Sequence, residues 1–392
     1  MQKYLIVIHQ YLPKWFTGTE QLVSKFSKFC KLNNIDIEIL CFEPSSKLSP
    51  FFKFLNFNIK FSRKIDDIKV HYVHGPVNNF DFEPNSKIYK TIIQKINPKK
   101  IIIFHSMRNS SVIFEAIKSQ IPYSLVLTDY FLLCPHYSLV DGNNDVCLNS
   151  NHGIKCNLIC KYDKSKILNR IEKSKKILDN CENIYVSSEY FKKIFAGHLS
   201  IDRHKFITLD YGSSTSKSYQ IKKNENFKLG YFGSFNLTKG IVELIYFLRK
   251  SKQNNGFVFL GSGPLEKEIK QLTIENKNII LKNPVDNSKL RDEIAKIDIG
   301  ILLSKWPENN PLIISEFLNC GKPVIVSNKG SLPHQIDHKK NGYVLQDSNI
   351  ESIEEAINFC KNNYISLSKE AMYKQDTHQD IFLNNLLTYL KK

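Results

Sequence analysis

Residues 304–323 read Ser304-Lys-Trp-Pro-Glu308-Asn-Asn-Pro-Leu-Ile-Ile-Ser-Glu316-Phe-Leu-Asn-Cys-Gly-Lys-Pro323. Pro307 and Pro311 bracket the first carboxylate in a non-helical loop, and Leu312, Ile313, Ile314 and Phe317 read as the opening turns of a helix that stops at Gly321. Glu308 and Glu316 therefore lie eight positions apart on two different elements, from which both can face one cavity. The first amides of a helix have no partner inside it, so the start at Asn309, Asn310, Pro311, Leu312 and Ile313 suits an anion such as a diphosphate. Glu316, about one turn in, is placed to accept hydrogen bonds from sugar hydroxyls.

Outward from this stretch, short β-branched or aromatic runs alternate with helical patterns, as a parallel sheet with crossover helices requires. The second half reads as strands at Lys228–Phe232, Phe257–Leu260, Ile279–Leu281, Asp298–Leu303 and Pro323–Ser327; the first half as strands at Tyr4–His9, Asp36–Phe42, Val70–Val73, Lys100–His105, Tyr123–Thr128 and Asn183–Ser187. A helix over Glu20–Lys31 carries Leu22, Val23, Phe26, Phe29 and Cys30 on one stripe, with Thr17 to Glu20 fitting a capping box. A linker rich in Gly, Ser, Lys and Asn falls around residues 210–226. The pattern predicts an α/β chain of two Rossmann-like, doubly wound domains, with ligands at the carboxyl ends of the strands in a cleft between them. The expected boundaries are 1–210, 211–375 and a final helix over 376–392 that crosses back to the first domain.

Two further turns fit this picture. Gly230-Tyr-Phe-Gly233-Ser234-Phe-Asn-Leu-Thr-Lys239-Gly240 is a strand, a Gly-bearing turn and a helix start with a lysine at the junction, a geometry suited to a diphosphate. Gly261-Ser-Gly263-Pro-Leu-Glu266 follows the next strand. With the Glu-x7-Glu pattern and Cys320-Gly-Lys-Pro-Val-Ile325, these residues resemble the retaining nucleotide-sugar glycosyltransferases of family 4, which have the GT-B fold. The resemblance implies that Lys239 neutralises the donor diphosphate, that Glu308 holds the donor sugar hydroxyls and that Glu316 holds the ribose. It implies backbone contacts from Gly233, Ser234, Gly261, Gly263 and Pro284 to the nucleotide. Ser234 stands near where the family often has an arginine.

In the first half, the family's paired glycines correspond to Thr17-Gly18, so Gly18 and Thr19 keep one close-approach position for donor phosphates. His105 ends a strand, where catalytic groups collect. Tyr123 to Pro135 resembles a subgroup pattern whose strand ends His-Asp-Tyr; Thr128 replaces that His, and Asp129 remains to orient an acceptor hydroxyl or to cap a turn. The implied reaction is retaining transfer of a hexose from a UDP- or GDP-linked donor to a glycan or lipid-linked acceptor of the cell surface, such as lipopolysaccharide or capsule. No cofactor is required by it. The rivals are a sugar-nucleotide epimerase of the same fold and a non-catalytic binder of anionic polymers.

The formal charge is +17, and its excess lies in the first half, with 28 Lys and Arg against 17 Asp and Glu in residues 1–200 but 27 against 21 in 201–392. Such a surplus points to an anionic partner. No nucleic-acid-binding motif accompanies it, so nucleic acid is not expected. Ser49 to Lys64 interleaves aromatics with basic residues, and Lys161 to Lys176 adds a second positive face; both suit an anionic membrane surface. No apolar run is long enough to cross a bilayer, and a cytoplasmic protein is expected, with peripheral attachment to the inner face. Nine cysteines in a reducing compartment read as thiols. Cys134, Cys147, Cys156 and Cys160 cluster in a loop-rich stretch compatible with a structural zinc.

Overall fold

A computed structural model of the chain describes residues 2–15, 18–44, 60–75, 86–211, 221, 224, 226–253, 255–373 and 378–392. Two compact units emerge: Met1–Asp210 together with Asp380–Lys392, and Tyr211–Gln379. Most of the 210–226 stretch, and Ser49 to Ile59 of the aromatic and basic run, lie outside the described residues. Among the described residues, no helix is long and apolar enough to cross a membrane.

Among the described residues the first unit is built on eight strands: β1 (Lys3–Ile8), β2 (Asp36–Pro44), β3 (Lys60–Ile65), β4 (Ile68–Gly75), β5 (Lys100–Ile103), β6 (Tyr123–Val126), β7 (Ile184–Val186) and β8 (Phe206–Thr208). Their order is β3-β4-β2-β1-β5-β6-β7-β8, parallel except where β3 runs against β4. The central strands are buried on both faces, as crossover helices demand: Leu5–Ile8 and Ile101–Ile103 have almost no exposed surface. Helices α1 (Gly18–Leu32), α2 (Ser86–Ile96), α3 (Ser110–Lys118), the short α4 (Ile154–Leu158), α5 (Lys164–Asn180) and α6 (Glu189–Leu199) make the connections. On α1, Leu22, Val23, Phe26 and Cys30 form the buried stripe that the sequence periodicity implies.

The second unit has strands β9 (Lys228–Ser234), β10 (Gly256–Ser262), β11 (Ile279–Lys282), β12 (Ile299–Leu302), β13 (Val324–Ser327) and β14 (Gly342–Leu345), in the parallel order β11-β10-β9-β12-β13-β14. Its helices are α7 (Ile241–Lys250), α8 (Glu266–Glu275), α9 (Asn287–Ile294), α10 (Leu312–Asn319), α11 (Leu332–Gln335), α12 (Ile350–Asn362) and α13 (Tyr364–Tyr373). Strands β3, β8 and β14 escape a sequence reading. β3, Lys60-Phe-Ser-Arg-Lys-Ile65, mixes basic, polar and apolar residues at a sheet edge, and β8 and β14 are short strands at the opposite edges of their sheets.

In each sheet the chain builds outward on one side and then returns to build on the other. The reversal falls between β1 and β5 in the first unit and between β9 and β12 in the second. The two crossovers leave these neighbouring strands in opposite directions, so a crevice opens at their carboxyl ends. The last helix, α14 (His378–Lys391), places Asp380–Lys392 with the first unit.

Candidate functional site

At the reversal of the second sheet, Lys239 Nζ donates to Glu308 Oε1 at 2.6 Å, and Ser304 Oγ donates to the same oxygen at 2.6 Å. Glu308 is buried, whereas about a fifth of the Lys239 side chain is exposed. The ammonium also lies 4.8 Å from the centre of the Trp306 ring, close enough for a cation–π attraction. Burial, with the Glu308 carboxylate beside it, pushes the Tyr231 phenol well above its ordinary pKa. Lys239 and Glu308, singled out separately in the sequence, therefore meet in one group.

Local folding explains the meeting. Asn236 caps the single turn Leu237–Lys239 by accepting the Lys239 N–H, and Gly240 follows in a left-handed conformation, φ 73°. A Cβ there would lie 2.0 Å from the Leu303 carbonyl oxygen, so only glycine lets this turn press on the end of β12. Lys305 N–H donates to Thr238 O at 2.9 Å and locks the two loops together. From the other side Gly330, φ 61°, abuts Glu308: a Cβ would lie 2.3 Å from its backbone nitrogen. Ser331 donates to the Glu308 carbonyl through both its N–H, at 2.9 Å, and its Oγ, at 3.0 Å. Sequence reading missed Ser304, Trp306, Gly330 and Ser331; the Ser and Trp immediately before Glu308 were the available signal.

The remaining donor residues line the same edge of the second sheet. Gly233 and Ser234 end β9, and a Cβ on Gly261 would lie 1.8 Å from Gly233 O. A Cβ on Gly263 would lie 2.5 Å from Phe235 O, so the first two loops pack backbone to backbone. Pro284 follows β11 and is exposed. Helix α10 starts after Pro311 with no side chain capping its first amides, Leu312 and Ile313 are partly exposed, and Asn309 is buried. Asn310 accepts a hydrogen bond from the Gln335 amide. Glu316 lies in the second turn of α10, half-buried.

At the reversal of the first sheet, His105 pairs through Nε2 with Asp129 Oδ2. Met107 N–H donates to His105 Nδ1 at 3.1 Å, which leaves the ring proton on Nε2, aimed at the carboxylate. Asp129 Oδ1 accepts the Phe131 N–H at 2.9 Å, so this residue both pins a turn and holds the imidazole. Both ring nitrogens of His105 are thus engaged by the protein, and Asp129 is the member of the pair better placed to meet a hydroxyl. A small cleft lined by Phe104, His105, Leu127, Thr128, Asp129 and Leu132 opens beside them.

Sequence reading also missed His9, whose ring lies against that of His105 with centroids 4.0 Å apart and the planes tilted by 39°. Burial above all, then His105 and Arg108, pushes the His9 pKa well below 6.5, so the ring is neutral at physiological pH. Its Nε2 lies 3.7 Å from the buried Glu20 carboxylate at the start of α1. His9 follows β1 as His105 follows β5, and that shared strand-end position was its signal. Gly18 and Thr19 open α1 just before Glu20.

The zinc reading of Cys134, Cys147, Cys156 and Cys160 is not supported. Among the described residues, no group of three or more His, Cys, Asp or Glu side chains could hold a metal ion. Burial raises the Cys134 thiol to about 12 and the Cys156 thiol to about 11. All nine cysteines are free thiols.

Two Rossmann-like units, each with polar side chains gathered at its sheet reversal, make a two-domain α/β architecture of the GT-B kind. Residues 214–378, most of the second unit, match the family described as Glycosyl transferases group 1. The chain is 25% identical over 317 residues to an uncharacterized 42.6 kDa protein in the cps region of Klebsiella pneumoniae, covering 76% of this chain and 69% of that one. Among solved structures, sucrose-phosphate synthase from Thermosynechococcus elongatus superposes with a TM-score of 0.71 at 13% identity, over 100% of this chain and 98% of that one. Anabaena HepE in complex with UDP superposes with a TM-score of 0.67 at 14% identity, over 99% and 100%.

Proposed function

We propose that this glycosyltransferase is a retaining hexosyltransferase of the family 4 type. It moves a hexose from a UDP- or GDP-linked donor to a hydroxyl of a glycan or lipid-linked acceptor in cell-surface polysaccharide synthesis, at the cytoplasmic face of the membrane. The observation that carries the reading is the Lys239–Glu308 pair, held with Ser304 at the reversal of the group 1 domain. Lys239 has further N–H donors beyond the one given to Glu308, and it meets the charge that builds on the diphosphate as the bond to the anomeric carbon breaks. The uncapped start of α10 adds aligned amides for the same anion.

Glu308 accepts from donor sugar hydroxyls, and Glu316 from the ribose. Gly233, Ser234, Gly261, Gly263, Pro284 and Asn309 to Ile313 shape the nucleotide side. In the first unit, Gly18 and Thr19 open α1 with amides suited to a phosphate. The leaving phosphate takes the proton of the acceptor hydroxyl as the new bond forms on the face the phosphate vacates. Asp129, oriented by His105, fixes that hydroxyl. The UDP complex of HepE supports the nucleotide, and the cps-region relative supports the acceptor class.

The test is titration calorimetry with UDP and GDP, followed by product analysis with and without acceptor glycans. Binding of one nucleoside diphosphate that weakens in Lys239→Ala, with product formed only when acceptor is present and with retained anomeric configuration, is the expected result. Acceptor-free conversion of the donor would replace the reading with epimerisation. Undiminished turnover in Lys239→Ala would remove its basis.

A further inference from the structure

The surface formed by α4 and the exposed face of α5 departs from the rest of the first unit in two respects at once. Leu158 is 62% exposed, Leu168 46% and Ile154 43%, three apolar side chains on two neighbouring helices. Leu32 is more exposed still, at 81%, but what sets this surface apart is the lysines around its apolar tips: Lys155, Lys161, Lys164, Lys166, Lys175 and Lys176 are all exposed. Between Ile154 and Lys176 the sequence holds only two carboxylates, Asp163 and Glu172. Asp163 is turned onto the start of α5, accepting the Lys166 N–H at 2.9 Å and the Ser165 hydroxyl at 2.5 Å.

The placement is fixed by the fold. The inner stripe of α5 is Ile167, Arg170, Ser174, Ile177 and Leu178, so Leu168 lies off it, on the same outward arc as Lys164 and Lys175. Ile154 and Leu158 are one turn apart on α4 and share a side. Gly153, φ 85°, brings α4 down onto α5, where a Cβ would lie 2.4 Å from the Ile167 side chain. Asn157 Nδ2 donates to Tyr162 O at 2.8 Å and ties α4 to the loop that leads into α5. The apolar tips therefore stand on a braced platform.

We infer that this surface docks the enzyme on an anionic phospholipid bilayer, with Leu158, Leu168 and Ile154 entering the headgroup boundary and the lysines meeting lipid phosphates. Charge complementarity commits the surface to this partner, and the isolated branched side chains amid long-stemmed lysines suit an interface that is apolar below and charged above. Docking needs neither donor nor turnover, so it can fail while the proposed transfer stands, and the reverse.

The experiment is co-sedimentation of the full chain with vesicles of phosphatidylcholine alone or containing 30% phosphatidylglycerol. Binding to the anionic vesicles, weakened by salt and absent with phosphatidylcholine alone, is expected. Leu158→Ser with Leu168→Ser should lower the partition coefficient about tenfold, and Lys164, Lys166, Lys175 and Lys176→Gln about a hundredfold or more. All six positions are exposed, so the thermal midpoint of each variant should match that of the parent, and transfer to a water-soluble acceptor should be unchanged. Failure to bind anionic vesicles, wild-type partition by both variants, or tighter binding to an oligonucleotide than to the vesicles would overturn the assignment.

Discussion

The two sheet reversals solve the same geometric problem with opposite electrostatics. In the second unit a lysine and a glutamate meet as a charge-assisted pair, 2.6 Å apart, clamped between Gly240 and Gly330. In the first unit the corresponding crevice holds two imidazoles in contact, one of them, His9, held neutral by burial, with a carboxylate beside each. The first arrangement carries a cation that can meet a diphosphate. The second carries hydrogen-bonding groups suited to an uncharged hydroxyl. The comparison teaches that a shared topology fixes where polar groups gather, and that the residues following each strand decide which kind of ligand is met.

The sharpest way to break this contrast is Lys239→Ala. Loss of a preorganised cation at the leaving group should lower kcat by about 10²- to 10³-fold, measured by donor turnover at saturating acceptor. If the first unit serves the acceptor instead, Asp129→Asn should cost about tenfold to a hundredfold, chiefly in the KM for acceptor, with UDP or GDP affinity unchanged in calorimetry. Equal effects of both variants on nucleotide affinity would collapse the distinction.

Gly330→Ala probes how rigidly Glu308 is held. The added methyl meets the backbone of Glu308 and the backbone of residue 330 is left-handed, so a destabilisation of about 2–4 kcal/mol is expected in urea unfolding. An unchanged midpoint would show that the clamp is loose. The smallest effect belongs to Glu38, far from both crevices, which accepts from Lys3 at 2.8 Å and His71 at 2.5 Å. Burial raises its pKa, but the hydrogen bonds from Lys3 and His71 outweigh burial and leave it below 4.5. A depressed carboxylate stabilises the fold fully above its unfolded pKa and ceases to do so as pH falls through the folded value. Thermal stability should therefore drop below about pH 4.5 in the parent. In Glu38→Gln that acid limb should be shallower by roughly 3 °C in Tm.

How much of this was legible in the sequence depended on whether the signal was local. Ile101 to Phe104 is a continuous apolar run, so a buried parallel strand could be read directly, whereas Lys60-Phe-Ser-Arg-Lys-Ile65 looks like a polar loop until an antiparallel partner, β4, is known. The start of α10 was legible because Pro311 and the following apolar run are neighbours in sequence. Lys239 and Glu308 were each legible as residues, but their contact depends on β9 lying beside β12, which no local pattern reports. His9 was invisible for the same reason, since it matters only because β1 lies beside β5. The four cysteines misled in the opposite direction, because close spacing in a loop-rich stretch says nothing of whether sulfurs converge.

The final helix carries a practical consequence. Phe382, Leu386 and Leu390 are fully buried, and Lys100 Nζ reaches Tyr389 O at 3.1 Å, so the core of the first unit is completed by a strip encoded after the second. The second unit is thus a guest spliced into a host. A fragment of residues 1–210 should be insoluble alone and rescued by a synthetic peptide of residues 380–392, whereas 211–379 should fold unaided. Such a pair would serve as a split reporter whose reassembly is read by solubility.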